Sequence, residues 1–201
     1  MSAIMTPPSH PPASTPVVGP TSWKWTREQY YKLGELGFFT GRRVQLIRGE
    51  IIEMSPLGWP HVMGKAKVAN VLRRIFHGVG WINEQAPLQA PESEPEPDVS
   101  VIPGKMEDYT DHPTVALLVV EVAETSLFYD TTTKAELYAS SGIQDYWVLD
   151  LENRQLLVFR DPAPIPAGGM AYRTRLVFGP TETVAPLAAS TATISISELL
   201  P

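Results

Sequence analysis

Apolar side chains recur at intervals of three and four residues in two stretches of the first half of the chain, the spacing of an amphipathic helix. The first stretch follows Thr26, where Gln29 completes a capping-box pattern, and it stops at Gly37. The second stretch runs from His61 to His77 with one apolar stripe. The pattern therefore predicts two helices, each packed by one face against a core.

Short alternating or continuous apolar segments predict β-strands at residues 44–47, 50–54, 98–102, 115–122, 146–150, 156–160 and 172–178. Arg48-Gly49 joins the first two as a hairpin. The segment Val115–Val122 is apolar on both faces, so we expect a strand covered on both sides. A helix over Thr132–Ser141 leads from it to the next strand as a parallel crossover. The predicted fold class is α+β or mixed α/β, a mixed sheet flanked by helices with an N-terminal helix and a β-hairpin.

The beginning of the chain differs in composition from the rest. Six prolines lie within residues 1–20, and such a stretch has too little apolar surface to become ordered by burial. A chain of 201 residues is long enough to bury a core of its own. We therefore expect residues 1–22 to form a disordered tail and residues 23–201 to form one domain.

Two absences in the sequence narrow the class of protein. The chain has no cysteine, which excludes disulfides, thiolate zinc sites and cysteine nucleophiles and favours the reducing cytoplasm. It also has no apolar stretch of membrane-spanning length. We therefore expect a cytoplasmic protein with no membrane partner.

The net charge of −6 is unevenly distributed. Residues 21–90 carry ten Lys and Arg against five Asp and Glu, whereas residues 91–201 carry six against seventeen. The basic residues that could contact nucleic-acid phosphates are Arg42, Arg43, Lys67, Arg73 and Arg74. The alternative is that both halves are ordinary solvated surface.

Carboxylates stand at the ends of two predicted strands. Asp98 opens one strand, and Glu121 lies near the end of the most apolar run of the chain. Mg²⁺ takes oxygen ligands and keeps several waters, so two carboxylates and the backbone carbonyl of Val122 are sufficient to hold it. Lys134, on the crossover helix, would orient or help deprotonate a water, and Glu50 on the hairpin could add a ligand. This combination predicts metal-assisted phosphodiester hydrolysis.

Each of these residues also has a purely structural interpretation. An aspartate after a proline is common in turns, and a glutamate at a strand end often faces solvent. His61, a possible additional site residue, can equally be a hydrogen-bonded structural histidine at the start of its helix. Tyr146 and Trp147 are expected in the core, with Tyr138 facing them from the helix. The joint order of strand acid, buried strand ending in an acid, and helical lysine favours the functional interpretation.

Several motifs resemble those of one known family. They are Glu121-Val122-Ala123-Glu124-Thr125-Ser126-Leu127, Tyr129-Asp130, Lys134, Tyr138, Gly142-Ile143, Asp145-Tyr146-Trp147 and Asp150, with Leu46-Ile47-Arg48-Gly49-Glu50, Met54-Ser55-Pro56 and Pro97-Asp98-Val99-Ser100 upstream. Over residues 24–200 the chain resembles the Uma-two family of endonucleases, which are similar to restriction endonucleases with the PD-(D/E)XK core. The resemblance implies a restriction-endonuclease-like fold. It also implies that Asp98 and Glu121 bind magnesium, that Glu50 is the hairpin acid and that Lys134 is a lysine displaced from the sheet.

One position departs from the wider superfamily. The usual lysine follows the second acid by two residues, and that position is Ala123 here. Activity therefore depends on whether Lys134 reaches the site from its helix. Glu124 stands where many relatives have serine, so it either adds an acid to the site or faces solvent.

We expect a Mg²⁺-dependent endonuclease, with Mn²⁺ as a substitute and, by resemblance, DNA as the substrate. A symmetric homodimer is the simplest way to make two cuts in a duplex. The alternative is a nucleic-acid or protein-binding module that has the nuclease fold but no catalytic activity. Ala123 and the negative net charge favour this alternative. A small-molecule-binding β domain has only the tryptophan and tyrosine content in its favour.

Overall fold

The computed structural model describes residues 19–201. Residues 1–18 of the predicted disordered tail, which is residues 1–22, therefore lie outside the described residues. Residues 19–22 form neither helix nor strand.

The helices are α1 (Arg27–Glu35), α2 (Trp59–Ile75), α3 (Leu127–Tyr129), α4 (Ala135–Ser140) and α5 (Ile196–Leu199), with a π-helical turn at Asp130–Lys134 and 3₁₀ turns at Met106–Asp108 and Leu187–Ala189. The strands are β1 (Val44–Ile47), β2 (Glu50–Glu53), β3 (Gly80–Glu84), β4 (Val99–Pro103), β5 (Leu118–Ala123), β6 (Asp145–Asp150), β7 (Gln155–Pro164), β8 (Met170–Phe178), β9 (Thr183–Val184) and β10 (Ile194–Ser195). Among residues 19–201, no helix has both the length and the apolar character needed to cross a bilayer.

The main sheet has six strands in the order β3-β4-β5-β6-β7-β8. Only the β5–β6 pair is parallel, and the other neighbours are antiparallel. Strands β1 and β2 form a separate antiparallel hairpin ahead of this sheet, and β9 pairs with β10. The predicted fold class, a mixed sheet with an N-terminal helix and a hairpin, is confirmed.

The sheet is covered on both faces. On one face, α2 and α5 pack over a core that includes Val120 and Trp147. On the other face, α4 packs over a second core that includes Val119 and Tyr146. Because successive side chains of a strand point to opposite faces, β5 is buried throughout, as its apolar sequence predicts.

The crossover helix differs from the prediction at its start. The helical segment begins at Leu127, five residues before the predicted Thr132, and it includes the π-helical turn. The hydroxyls of Thr131 and Thr132 donate to the carbonyls of Leu127 and Phe128, at 2.7 and 2.5 Å, within this segment. Threonine side chains thus bond to the backbone where the regular α-helical pattern is interrupted.

The α1 prediction is confirmed in detail. The hydroxyl of Thr26 accepts a hydrogen bond from the backbone N–H of Gln29, and the Gln29 side chain accepts one from the backbone N–H of Thr26. The predicted loop 161–169 is shorter than expected, because β7 and β8 extend to Pro164 and Met170. This difference lies at the far edge of the sheet from β4 and β5.

Candidate active site

Three of the predicted residues meet at one end of the central strands. Lys134 Nζ lies 2.8 Å from Glu121 Oε1. Both side chains are buried, each residue being 2% exposed, and Asp98 beside them is 8% exposed. Asp98 Oδ2 accepts a hydrogen bond from the backbone N–H of Val122 at 2.8 Å. Asp98 is therefore fixed to the strand that carries Glu121.

Different features direct the two acids to the site. Val119 of β5 belongs to the core under α4. Since side chains two residues apart point to the same face of a sheet, Glu121 is directed toward α4. Asp98 lies in the bend just before β4, and its carboxylate contacts both the backbone of β5 and His61 of α2.

The cluster opens into a cavity of about 260 Å³. Besides Asp98, Glu121 and Lys134, six ionisable side chains line it: Arg43, Glu53, His61, Glu96, Glu124 and Asp130. Glu124, which from the sequence could equally face solvent, therefore borders the cavity. The surroundings are predominantly acidic, which suits a cation.

Glu121 has unused hydrogen-bonding capacity. Its Oε1 accepts from Lys134 and from the Tyr138 hydroxyl, the latter at 2.7 Å, and no donor from residues 19–201 reaches Oε2. Burial raises the pKa of Glu121 to about 8, and the charges of Asp98 and Asp130 act in the same direction against Lys134. A cation at Oε2 would compensate the charge that burial makes unfavourable.

Lys134 lies between two carboxylates. Asp130 Oδ1 is 3.8 Å from its Nζ, and the Ser126 hydroxyl donates to Asp130 Oδ2 at 2.5 Å. Burial acts to lower the pKa of Lys134, but the charges of Glu121, Asp130 and Asp98 outweigh it and raise that pKa. The site therefore contains a fixed ammonium group.

His61 lies at the start of α2 and contacts Asp98. Its Nε2 is 2.9 Å from Asp98 Oδ1. Burial acts to raise the pKa of Asp98, but His61, Lys134 and the N–H of Val122 outweigh it and lower that pKa. His61 thus orients Asp98 and keeps it ionised.

The carbonyl of Val122 faces the same gap as Asp98. The N–H of Leu151 donates to the carbonyl of Ala123 at 3.0 Å, so that carbonyl is directed toward β6. Because the peptide groups of a strand alternate in direction, the Val122 carbonyl is directed toward β4. Strand β4 begins only at Val99, opposite Val120, so no β4 residue pairs with Val122.

The prediction that Glu50 belongs to the site is wrong, because the structure places this residue away from the cavity. Glu50 is exposed and accepts a hydrogen bond from Lys24 Nζ at 2.6 Å, which also lowers the pKa of Glu50. In the hairpin register Glu50 pairs with Ile47 beside the turn, whereas Glu53 pairs with Val44 at the other end. The hairpin acid that lines the cavity is therefore Glu53.

The predicted basic surface on α2 is also not free. Lys67 contacts the carbonyl of Leu200 at 2.6 Å, Arg73 contacts Glu84, and Arg74 contacts Glu198 at 2.9 Å. Sequence spacing alone could not reveal these partners, since β3 and the chain segment around α5 meet α2 only through the tertiary fold. The acidic partners neutralise the two arginines.

Arg42 and Arg43 precede β1 and have partners as well. Arg42 lies 3.6 Å from Glu53, and Arg43 lies 3.9 Å from Glu96. Of the five basic residues predicted to contact nucleic acid, only Arg43 lines the cavity.

Two side chains in the cluster were not assigned to the site from the sequence. Asp130 and Tyr138 lie four residues before and after Lys134, a spacing that places the three on one helical face. The sequence assigned Tyr138 to core packing alone, and its ring does lie 4.9 Å from that of Tyr146. Its hydroxyl additionally donates to Glu121.

The fold and the cluster define a restriction-endonuclease-like domain, and comparisons agree. Residues 27–197 match the family model Uma2, described as "Putative restriction endonuclease", so the chain belongs to this family and the resemblance found in the sequence is confirmed. None of the curated proteins matches this chain.

A solved structure has the same fold. It is the crystal structure of a "putative nuclease belonging to DUF820" from Anabaena variabilis ATCC 29413, which is 17% identical in sequence. The similarity covers 87% of this chain and 96% of that one, with a TM-score of 0.66. The family match assigns the chain to Uma2, and this structure shows that the two chains share a fold.

Proposed function

We propose that this protein is a Mg²⁺-dependent endonuclease that hydrolyses phosphodiester bonds of DNA. The observation that carries the proposal is the buried pair of Lys134 and Glu121, 2.8 Å apart and beside Asp98 at a cavity. Burying charged groups is unfavourable, and a strongly perturbed cluster in a cleft is typical of functional sites.

The residues fit a magnesium ion by their chemistry. The available donors are oxygens: the carboxylates of Asp98 and Glu121 and the carbonyl of Val122, which share one gap at the end of β4. Within residues 19–201 no three His, Asp or Glu side chains form a preassembled metal-binding group. Sparse protein ligation suits Mg²⁺, which keeps most of its waters. When bound, the ion would neutralise phosphate charge and make a water more acidic, and Mn²⁺ could substitute.

The protein groups have separate roles in this proposal. His61 and the N–H of Val122 orient Asp98. Glu121 and Asp130 hold the ammonium group of Lys134, which can stabilise negative charge that develops on a phosphate in the transition state. Lys134 thus supplies from the helix the positive charge that is absent at Ala123.

Because Lys134 lies beside Glu121 and Asp98, we favour a catalytically active nuclease over a binding module without activity. DNA as the substrate is supported by the description of the family as restriction endonucleases. Homodimerisation and a cytoplasmic location remain predictions from the sequence.

Incubation of supercoiled plasmid with the full chain tests this function. We expect nicking that requires Mg²⁺ or Mn²⁺ and that is lost in both Glu121→Gln and Lys134→Met. Glu50→Gln is the matched control, because this exposed acid lies outside the cavity, and it should retain the parent rate. Nicking that persists undiminished in the two site variants would contradict the proposal, as would its absence in the parent at every cation concentration.

A further inference from the structure

Hydrolysis of a phosphodiester requires a group that takes a proton from the attacking water, and Lys134 is unsuited to this role. Its ammonium lies between Glu121 and Asp130, at 2.8 and 3.8 Å from their oxygens. Burial acts to lower the pKa of Lys134, but the charges of the surrounding carboxylates outweigh it and raise that pKa. Lys134 therefore keeps its proton at neutral pH, and the base must be another side chain of the cavity.

Six carboxylates line the cavity, and five of them have a polar or charged partner. The five pairs are Asp98 with His61, Glu121 with Lys134, Asp130 with Ser126, Glu53 with Arg42 and Glu96 with Arg43. The sixth carboxylate, Glu124, forms no hydrogen bond or ion pair with any group among residues 19–201. Both of its oxygens are therefore available to a water molecule.

The carboxylate of Glu124 is held at the start of α2. A methyl group added at the Cα of Gly58 would lie 2.5 Å from Glu124 Oε2, so this oxygen lies directly against the backbone of Gly58. Gly58 is the N-cap residue of α2 and has no side chain to occupy that space. The N-terminal end of a helix carries a partial positive charge, which attracts a carboxylate. The position of Glu124 therefore depends on the glycine.

Glu124 and Glu121 approach the cavity from opposite faces of the sheet. Val122 faces α2, since a methyl group at Gly64 of that helix would lie 3.1 Å from Val122 Cγ1, and Glu124 contacts the N-cap of the same helix. Glu121 is directed toward α4, so Glu124 borders the cavity from a different side than Lys134 does. The cavity measures about 260 Å³. A water molecule takes up about 30 Å³, so there is room for a phosphate group and the attacking water between them.

We propose that Glu124 is the general base of the hydrolysis. This inference rests on the proposed nuclease function and adds the residue that activates the water. Glu124 takes one proton from a water molecule while the oxygen of that water forms a bond to phosphorus. The bond between phosphorus and the leaving oxygen breaks, and the leaving oxygen takes a proton from solvent water. Glu124 then returns its proton to the hydroxide left in the solvent, so one water is consumed for each bond cleaved.

The rate of plasmid nicking by the full chain at saturating Mn²⁺ tests this role. We expect Glu124→Gln, which keeps the shape of the side chain but cannot take up a proton, to lower the rate at least about 100-fold. Its Mn²⁺ affinity, measured by calorimetry, should equal that of the parent. Glu152→Gln is the matched control, because this glutamate is exposed on the turn after β6, and it should nick at the parent rate.

Chemical rescue distinguishes a base from a structural residue. Glu124→Ala leaves room for a small carboxylate, so sodium formate should raise its nicking rate about tenfold over the same concentration of sodium chloride. Formate should not accelerate the parent. Gly58→Ala keeps every ionisable group but displaces the Glu124 carboxylate, and we expect nicking to fall about 10- to 100-fold. If Glu124→Gln does not fold by circular dichroism, Gly58→Ala takes its place.

Four results would overturn the role of Glu124. The first is nicking by folded Glu124→Gln at the parent rate, which leaves the nuclease function intact. The second is loss of Mn²⁺ binding in Glu124→Gln, which would make this residue a cation ligand instead. The third is rescue of His61→Ala by imidazole without rescue of Glu124→Ala by formate, which would assign the proton transfer to His61. Absence of nicking by the parent would overturn the nuclease function itself and the role of Glu124 with it.

Discussion

Asp145 and Glu121 are both buried carboxylates on the parallel strand pair of one sheet, yet their surroundings differ. Asp145, 0% exposed, accepts hydrogen bonds from the Trp147 indole, the Arg160 guanidinium and the backbone N–H of Leu187, each at 2.8 Å. These bonds use both of its oxygens. Glu121 concentrates its two partners on Oε1 and borders a cavity.

The comparison teaches that burial alone does not identify a functional acid. A carboxylate with donors on both oxygens acts as a structural link, here between β6, β7 and the first residue of the 3₁₀ turn Leu187–Ala189. A carboxylate that has one oxygen without a donor, and that borders a cavity, can still bind a ligand. The difference predicts opposite outcomes for substitutions at the two sites.

The largest effect is expected at Asp145. Asp145→Ala leaves the Arg160 charge and the Trp147 and Leu187 donors without their acceptor, and we expect the free energy of unfolding to fall by about 3–5 kcal/mol. Urea unfolding monitored by circular dichroism measures this loss. Cation binding per folded molecule should stay at the parent level. A loss below about 1 kcal/mol would remove the distinction between the two acids.

Lys134→Met should instead affect activity more than stability. We expect at least a 100-fold loss of nicking, on the order of the effect of a positioned catalytic group. The fold is retained because Glu121, whose pKa burial already raises to about 8, can take up a proton when the ammonium is removed. Plasmid nicking and urea unfolding on the same preparation measure both quantities. Full activity in a folded Lys134→Met protein would exclude Lys134 from the chemistry.

A substitution at His61 tests whether Asp98 depends on its orienting partner. His61→Ala removes the 2.9 Å contact to Asp98 Oδ1. We expect Mn²⁺ affinity to fall about 10- to 100-fold, the range for residues that orient metal ligands. Calorimetry measures the affinity, and His77→Ala, at an exposed histidine after α2, serves as the control. Equal Mn²⁺ affinity in His61→Ala and the parent would show that Asp98 does not depend on His61 for its orientation.

The pH dependence of cation binding follows from the raised pKa of Glu121, about 8. Below that pH the carboxyl is protonated, so a cation must displace the proton. Apparent affinity should therefore rise with pH, by up to about tenfold per pH unit below pH 8, and level off above it. Calorimetry at several pH values measures this slope. A flat profile between pH 6 and 8 would show that Glu121 is ionised throughout.

The smallest effects are expected on the basic residues of α2. Arg74→Gln breaks an exposed pair with Glu198, which is worth at most about 1 kcal/mol, and nicking should change less than about twofold. Filter retention of DNA at several salt concentrations measures the contribution of this face. A marked, salt-dependent loss of retention in Arg74→Gln would instead support the sequence-based prediction that the basic residues of α2 contact nucleic acid.

The sequence predicts the scaffold and the two strand acids well, because both depend on local periodicity. The apolar run of β5 and the alternation before Ile102 are sufficient to place Asp98 and Glu121 on neighbouring strands. The spacing of Lys134 does not by itself show that it reaches Glu121. That contact depends on how the helical segment from Leu127 to Ser140, with its π-helical turn, packs against β5 in the tertiary fold.

The errors have the same physical origin. Glu50 and Glu53 are equivalent in a strand pattern, and only the docking of the hairpin selects Glu53 for the cavity. The sequence does not show that the charges on α2 are paired, since their partners Glu84 and Glu198 lie on other elements, β3 and α5. Side-chain partners that come from remote segments are therefore what one sequence cannot supply.

Calorimetric titration of the full chain with Mn²⁺ tests the central claim most directly, since that claim is a cation site formed by Asp98 and Glu121. We predict saturable binding in the parent and in Glu50→Gln, and its loss in Asp98→Asn and Glu121→Gln, with all four proteins folded. Equal Mn²⁺ binding in Glu121→Gln and the parent, or no Mn²⁺ binding in the parent, would contradict the account.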